Sequence, residues 1–369
     1  GTFQGGGIPQ KDYIDILTLG EGEEVTANLL RALKNGDDLG NVNGIAYRNE
    51  SGNAVLTTPH CPESVENYPS PYLTGVFDSI IKKNPDTMFD TIIETNRGCP
   101  YNCAYCDWSN HKKLRLFPME KVKGEIKWLS EHKIEYCFCA DSNFGMFERD
   151  TEIAEYIVEL NKQTGFPKVF RPCYEKNSAE RVFNISKTLN SRGLDKGATM
   201  AYQTLCDDAL KNINRKNLTM EHFSSLLQKY NEAGIPTYSE LILGLPGETK
   251  ESFCKGICRL LENGQHNSVS VYHCEVLPNS ELAKPEYIKK HKIEVKTFGN
   301  FEMFCDGKIV KFKKILPHYF ITIGFSCQYF FRQGAEKTNQ GLPRRTPLVC
   351  SLFLRIEVFP IGFYIVYRS

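Results

Sequence analysis

The sequence predicts an α/β protein in which parallel strands carry helices on their outer side. Three observations point there. From about residue 89, apolar runs alternate with stretches of helical periodicity, the pattern of strand-helix-strand crossovers. The alternation repeats through six strand-helix units before about residue 300. A loop bearing three cysteines follows the first of these runs directly, where a parallel sheet carries its chemistry.

Residues 13–19 read as a strand, and Gly20-Glu21-Gly22-Glu23 turns it into a helix with Val25, Leu29 and Leu33 four residues apart. Residues 45–48 and 54–57 flank Ser51-Gly52-Asn53 and read as a hairpin. Residues 61–86, with Pro62, Pro69 and Pro71, read as a linker. After the strand at 89–95, a helix over 119–133 aligns Val122, Ile126 and Leu129, and a strand follows at 136–139. Next come a helix over 150–164 burying Ile153, Ile157 and Leu160, and a strand near 168–173. A helix with Val182, Ile185 and Leu189 leads to a strand near 197–202, and a helix with Phe223, Leu227 and Tyr230 to one at 237–243. A helix with Phe253, Ile257 and Leu260 and a strand at 269–274 close the series. Cys254 and Cys258 lie inside that helical pattern and read as packing residues, as do Cys137 and Cys139 on one face of their strand. Beyond residue 301 the helical period fades, and nine of the 23 phenylalanines fall within 304–363. This tail reads either as a sheet-rich cap or as an aberrant chain end.

The chain of 369 residues can bury a full core and suits two domains, or one large domain with appendages. A formal net charge of +1 makes no electrostatic case for nucleic acid or membrane. No run of eighteen apolar residues is present. Fourteen cysteines are many, yet the chain opens Gly-Thr-Phe-Gln-Gly-Gly-Gly without a signal peptide. The expectation is a soluble protein of a reducing cytoplasm that uses cysteine to bind metal.

That use centres on Thr95-Asn96-Arg97-Gly98-Cys99-Pro100-Tyr101-Asn102-Cys103-Ala104-Tyr105-Cys106-Asp107-Trp108. Three thiolates on one tight loop can grip a single metal centre. Four would close a [4Fe–4S] cluster for electron transfer, whereas three leave one iron open. The other reading is a Cys3His zinc site completed by His111.

The stretch resembles the cluster loop of the radical S-adenosylmethionine superfamily: three cysteines at this spacing, with an aromatic (Tyr105) before the last. The resemblance implies that Cys99, Cys103 and Cys106 hold a [4Fe–4S] cluster. Its open iron would chelate the methionyl part of S-adenosylmethionine. One electron from an external donor, such as a flavodoxin or ferredoxin, would then release a 5′-deoxyadenosyl radical. For residues 87–300 the resemblance implies a partial six-stranded parallel (β/α) barrel. Gly5-Gly6-Gly7-Ile8-Pro9 with Gly20-Glu21-Gly22-Glu23 resembles the last third of the Rossmann-like cobalamin-binding domain of one branch. Residues 1–60 are then expected to be a remnant of that domain, with cobalamin a cofactor of the fuller protein. Its Asp-x-His-x-x-Gly motif is absent and no histidine precedes His60, so the chain reads as N-terminally truncated. A generic β-α-β edge is the other reading. Gly244-Leu245-Pro246-Gly247-Glu248-Thr249 resembles a turn typical of the same branch.

By resemblance, Tyr105 packs near the adenine and Asp141 or Asn143 meets the cofactor's amino group. Glu175-Lys176-Asn177 and Gln203 stand near ribose, carboxylate or substrate, and Arg215 meets the cofactor carboxylate. Glu240 and Gly244 belong to the adenine turn, with Glu248 capping the next helix. The implied activity is methyl transfer to an unactivated carbon or phosphorus of a small molecule, or a related radical reaction. An iron–sulfur electron-transfer protein and a zinc-stabilised binding module are the other readings.

Overall fold

A computed structural model describes residues 14–108, 113–176, 179–265 and 267–295, and the backbone of three further strands at 300–305, 308–313 and 323–325. The chain begins with strand β1 (Ile16–Thr18), helix α1 (Gly22–Asn35) and the hairpin β2 (Ile45–Arg48) and β3 (Ala54–Leu56). α1 stops at Gly36, whose left-handed backbone (φ +75°) suits a residue without Cβ. It buries Val25, Leu29 and Ala32, while Leu33 is 51% exposed. Strict four-residue steps overshoot a 3.6-residue turn by about 40° each, so Ala32 rather than Leu33 completes the stripe. β1 runs antiparallel to β2, and β2 to β3. Among the described residues this unit therefore holds an antiparallel sheet and not the parallel pairing of a Rossmann-like unit.

Residues 61–86 form more than a linker. They contain α2 (Asp78–Lys83), and Tyr68, Tyr72, Phe77 and Ile81 pack against the main core. Then come β4 (Asp90–Ile93), the two-residue pair β5 (Asn96–Arg97) and β6 (Arg115–Leu116), and α3 (Met119–Glu131). Strand β7 (Tyr136–Phe144), α4 (Arg149–Thr164), β8 (Val169–Tyr174) and α5 (Ala179–Asn190) follow. The second half runs β9 (Ala198–Gln203), α6 (Asp207–Asn212), α7 (Met220–Glu232), β10 (Thr237–Leu243), α8 (Lys250–Glu262), β11 (Ser268–His273) and α9 (Pro285–His291). Strands β12 (Asn300–Cys305) and β13 (Lys308–Lys313) make an antiparallel pair, and β14 (Ile323–Phe325) joins β11 antiparallel. The rest of the tail lies outside the described residues.

The predicted alternation is present. β4, β7 and β8 pair in parallel, as do β9, β10 and β11; no ladder joins β8 to β9 among the described residues. Period-two burial builds each sheet: in β10, Thr237, Ser239 and Leu241 are buried, and Tyr238, Glu240 and Ile242 face the other way. One core gathers Ile126, Leu129, Ile153, Ile157 and Ile185 around Cys137, Cys139 and Phe170, and a second gathers Phe223, Leu227, Tyr230 and Leu260 around Leu241 and Val271. Cys137 and Cys139 are fully buried as read, and burial pushes the Cys137 thiol up to about 12. Cys254 and Cys258 are not packing residues. Both are exposed, because α8 buries Phe253, Gly256 and Leu260, and Cys254 (one residue past Phe253) and Cys258 (two residues from Gly256 and from Leu260) turn away from that stripe.

Candidate metal centre

The three-cysteine loop hangs from the β5–β6 pair at the carboxyl end of β4. Its shape begins at Gly98, where φ is +109° and a Cβ would stand 2.3 Å from the Lys113 carbonyl oxygen. Only glycine lets the chain turn that close to its own return strand. Farther along, the Ala104 N–H donates to the Ile213 carbonyl at 3.0 Å and its carbonyl accepts from Leu282 N–H at 2.9 Å. Ala104 is fully buried with Ala209, Ile213, Leu245 and Leu282. The middle of the loop is thus tied to the end of α6 and to the turn at 281–283 that precedes α9.

Asp141 secures the loop's first residues from below. Fully buried at the end of β7, it accepts from Thr95 N–H (2.7 Å), Asn96 N–H (3.2 Å) and Asn96 Nδ2 (2.7 Å), and from the Thr95 hydroxyl. Burial pushes its carboxyl up to about 7 even though Thr95 and Asn96 donate to it. These four bonds tie its carboxylate to the two residues that lead into the cysteine loop.

The thiols meet donors from neighbouring strand ends. Asn143 Nδ2 donates to Cys99 Sγ at 3.2 Å, and Lys176 Nζ to Cys103 Sγ at 3.5 Å. Lys176 also lies 4.9 Å from the Tyr101 ring centroid, and the Tyr101 hydroxyl donates to buried Glu175. Crowding by the surrounding protein raises the Cys106 thiol, and the Cys103 and Cys99 sulfurs push it the same way. Cys103 and Cys99 thus lie near enough to Cys106 to act on its charge. Among the described residues no group of three or more His, Cys, Asp or Glu side chains gathers tightly enough for one metal ion. Zinc would draw each thiolate to about 2.3 Å from a common centre, whereas a cubane binds each on a different iron and needs them apart. The donor set fits a cluster. His111 and Asn177 lie outside the described residues.

The remaining expected residues line the strand ends unequally. Arg215, 6% exposed, donates to the Tyr105 hydroxyl at 3.0 Å, to Asn217 Oδ1 at 2.9 Å and to the Ala201 carbonyl. It braces Tyr105 against β9, and burial raises the Tyr105 phenol while Arg215 draws it down. Gln203 ends β9 with φ +65°, a left-handed backbone uncommon for a side-chain-bearing residue. Glu240 is half-buried on the face opposite the helix-packed core; burial raises its carboxyl, and Lys196 and Arg215 act against that. Gly244 has φ +96° after β10, with the Cys274 Cβ 3.6 Å from where its own would be. Glu248 does not cap α8. Thr249 does, in a capping box with Ser252, while Glu248 accepts from the Thr204 hydroxyl and its Oε2 is buried without a partner.

Sequence reasoning missed the supports of the loop. Glu21, at the start of α1, accepts from Arg97 Nη1 at 3.0 Å and from Arg115, the two arginines of the β5–β6 stem. Arg97 also reaches Glu23 at 2.8 Å and Glu94 at 2.5 Å. No local signal pairs residues so far apart in the chain. Beside the loop, a cleft of about 1410 Å³ lies between α1, residues 60–72 and β4, with Trp108, Phe138 and Phe117 among its walls. Trp108 meets Phe138 edge-on at 6.5 Å between centroids.

Residues 93–255 match the family model described as the Radical SAM superfamily. The chain is 42% identical over 283 residues to 2-(S-pantetheinyl)-carbapenam-3-carboxylate methyltransferase of Streptantibioticus cattleyicolor, covering 75% of this chain and 41% of that protein. It is 40% identical over 287 residues to the cobalamin-dependent radical SAM methyltransferase TokK of Streptomyces tokunonensis, covering 76% and 42%. It thus spans about two-fifths of the length of these relatives. Among solved structures, the radical S-adenosylmethionine methyltransferase TsrM of Kitasatospora setae superposes with a TM-score of 0.53 at 18% identity, over 73% of this chain and 53% of that one. That likeness is one of fold.

Proposed function

Since the chain belongs to the radical SAM superfamily, with the α/β fold of that superfamily, we propose that it is the catalytic part of a radical S-adenosylmethionine methyltransferase. Cys99, Cys103 and Cys106 would hold a [4Fe–4S] cluster, and the iron they leave open would take S-adenosylmethionine. When bound, that pair supplies one-electron cleavage of the cofactor, with the electron coming from an external flavodoxin- or ferredoxin-like donor.

The chain's own part is to hold and to shield. Arg215 keeps Tyr105 at the rim of the loop, where an adenine could stack. Asp141 keeps Thr95 and Asn96 fixed beneath the first cysteine. Gln203, Glu240 and Gly244 stand at the ends of β9 and β10, where parallel strands present ligand contacts. We read the six parallel strands as one partial barrel over 87–300.

The described residues do not by themselves form a cobalamin site. His60 is the first histidine of the sequence, and its Nε2 pairs with Glu24 at 2.7 Å. The reading of residues 1–60 as the end of a cobalamin-binding domain rests on the similarity to TokK, whose name states the dependence. For substrate we propose a small carbapenam-type carboxylate, after the relative that is 42% identical. No helix among the described residues is long and apolar enough to cross a membrane.

Three cysteines on one loop at the end of β4, two of them met by N–H donors from Asn143 and Lys176, carry the proposal. After anaerobic reconstitution, the protein should hold about four irons and four sulfides per chain and release 5′-deoxyadenosine when reduced with S-adenosylmethionine. Cys103→Ala should lose both. Zinc without iron, or a reduced cluster that leaves S-adenosylmethionine intact, would overturn it.

A further inference from the structure

Resting on that reading, we infer that Lys176 is a tuning residue for the cluster: its ammonium, hydrogen-bonded to the Cys103 sulfur, raises the cluster's reduction potential. The placement is built. Lys176 is the second residue after β8, half-buried, with Nζ 3.5 Å from Cys103 Sγ. The Tyr101 ring lies beneath it at 4.9 Å, and that ring is anchored through its hydroxyl to Glu175, the preceding residue. Lysine, ring and carboxylate form a closed frame that aims the ammonium at one sulfur of the trio. Asn143 makes the matching contact to Cys99 at 3.2 Å, but with a neutral amide.

Adding an electron makes a thiolate-bound cluster more negative. A fixed positive charge and an N–H donor on a ligand sulfur both favour that reduced state, and in a site partly closed to water the charge is weakly screened. An external donor then meets a cluster that is easier to reduce, although three anionic sulfurs oppose it. Lysine is needed for its charge and Tyr101 for its aim.

The test is potentiometric titration of the reconstituted cluster, followed by its electron-paramagnetic resonance signal, in the wild type and in Lys176→Met, Lys176→Gln and Lys176→Arg. At a poise that half-reduces the wild type, Lys176→Met should show a reduced-to-oxidised ratio about tenfold lower, which is about 59 mV for one electron. Lys176→Arg should stay within about twofold of the wild type. Should the methionine variant fail to load, Lys176→Gln carries the measurement, since it keeps a donor and drops the charge. An unchanged midpoint in the neutral variants that load overturns the inference, and so does weaker S-adenosylmethionine binding at unchanged potential, which would assign Lys176 to the cofactor. Wild-type protein that takes up no iron would instead overturn the proposed function.

Discussion

The Asp141 carboxyl has no exposed surface, and burial pushes its pKa up to about 7 against four donors from Thr95 and Asn96. Because this folded-state value lies above the unfolded one near 4, the folded chain holds the proton more tightly between them. The stabilisation is full at the acid end of that window and is lost as pH rises through 7. Burial moves Asp150, Asp195, Glu125 and Glu240 in the same direction. Glu21 goes the other way: burial opposes it, but Arg115 and Arg97 outweigh burial and hold it below the usual carboxylate range. One proton of difference is worth about 1.4 kcal/mol per pH unit. The melting temperature should therefore fall by about 2–4 °C per pH unit between pH 5.5 and 7 through Asp141, and Asp141→Asn should flatten that slope. A variant with the wild-type slope would show that Asp141 does not titrate there. From the sequence, Asp141 read as a cofactor contact because the strand end was visible, but the partners that occupy it were not.

At the scale of elements, β4 leaves one edge unpaired among the described residues. Tyr72 covers it: its hydroxyl donates to the Ile92 carbonyl at 2.5 Å and accepts from the Ile92 N–H at 3.3 Å. One phenol thus satisfies both backbone groups of Ile92 on that edge, which otherwise invite another strand. Tyr72→Phe should cost about 1–2 kcal/mol and speed hydrogen exchange at the Ile92 amide; an unaltered exchange rate would show the edge protected by something else. Strands and long helices were legible because periodic burial is written locally: the stripes of α3, α5 and α7 fall where the spacing put them, and that of α4 does so for Ile153 and Ile157, with Leu160 half-buried at its margin. The short helices α2, α6 and α9 carry too few turns for a period to emerge. Leu33, Cys254 and Cys258 were misjudged because each residue step turns a helical side chain by 100°, so an offset of one or two residues takes it off the buried stripe.

For the molecule as a whole, the antiparallel unit at the start is held to the cysteine-bearing half by charge. Glu21 is 10% exposed and Arg115 is 4% exposed, and Arg97 closes the group. Removing one partner strands the other in a dry place. Glu21→Ala should thus destabilise the protein by about 3 kcal/mol and reduce the iron retained per chain, because both arginines form the stem of the cysteine loop. Full iron content at wild-type stability would show that the first unit merely rests against the second.

By itself the sequence determined the α/β alternation, the cysteine trio and the kinship that trio signals, since hydrophobic period and ligand spacing are local along the chain. Tertiary structure alone decided that Asn143 and Lys176 reach the sulfurs, that Arg215 braces Tyr105, and that Glu21 clamps the loop from 76 residues away. Such contacts depend on which strand ends stand side by side, and no spacing within one segment encodes that.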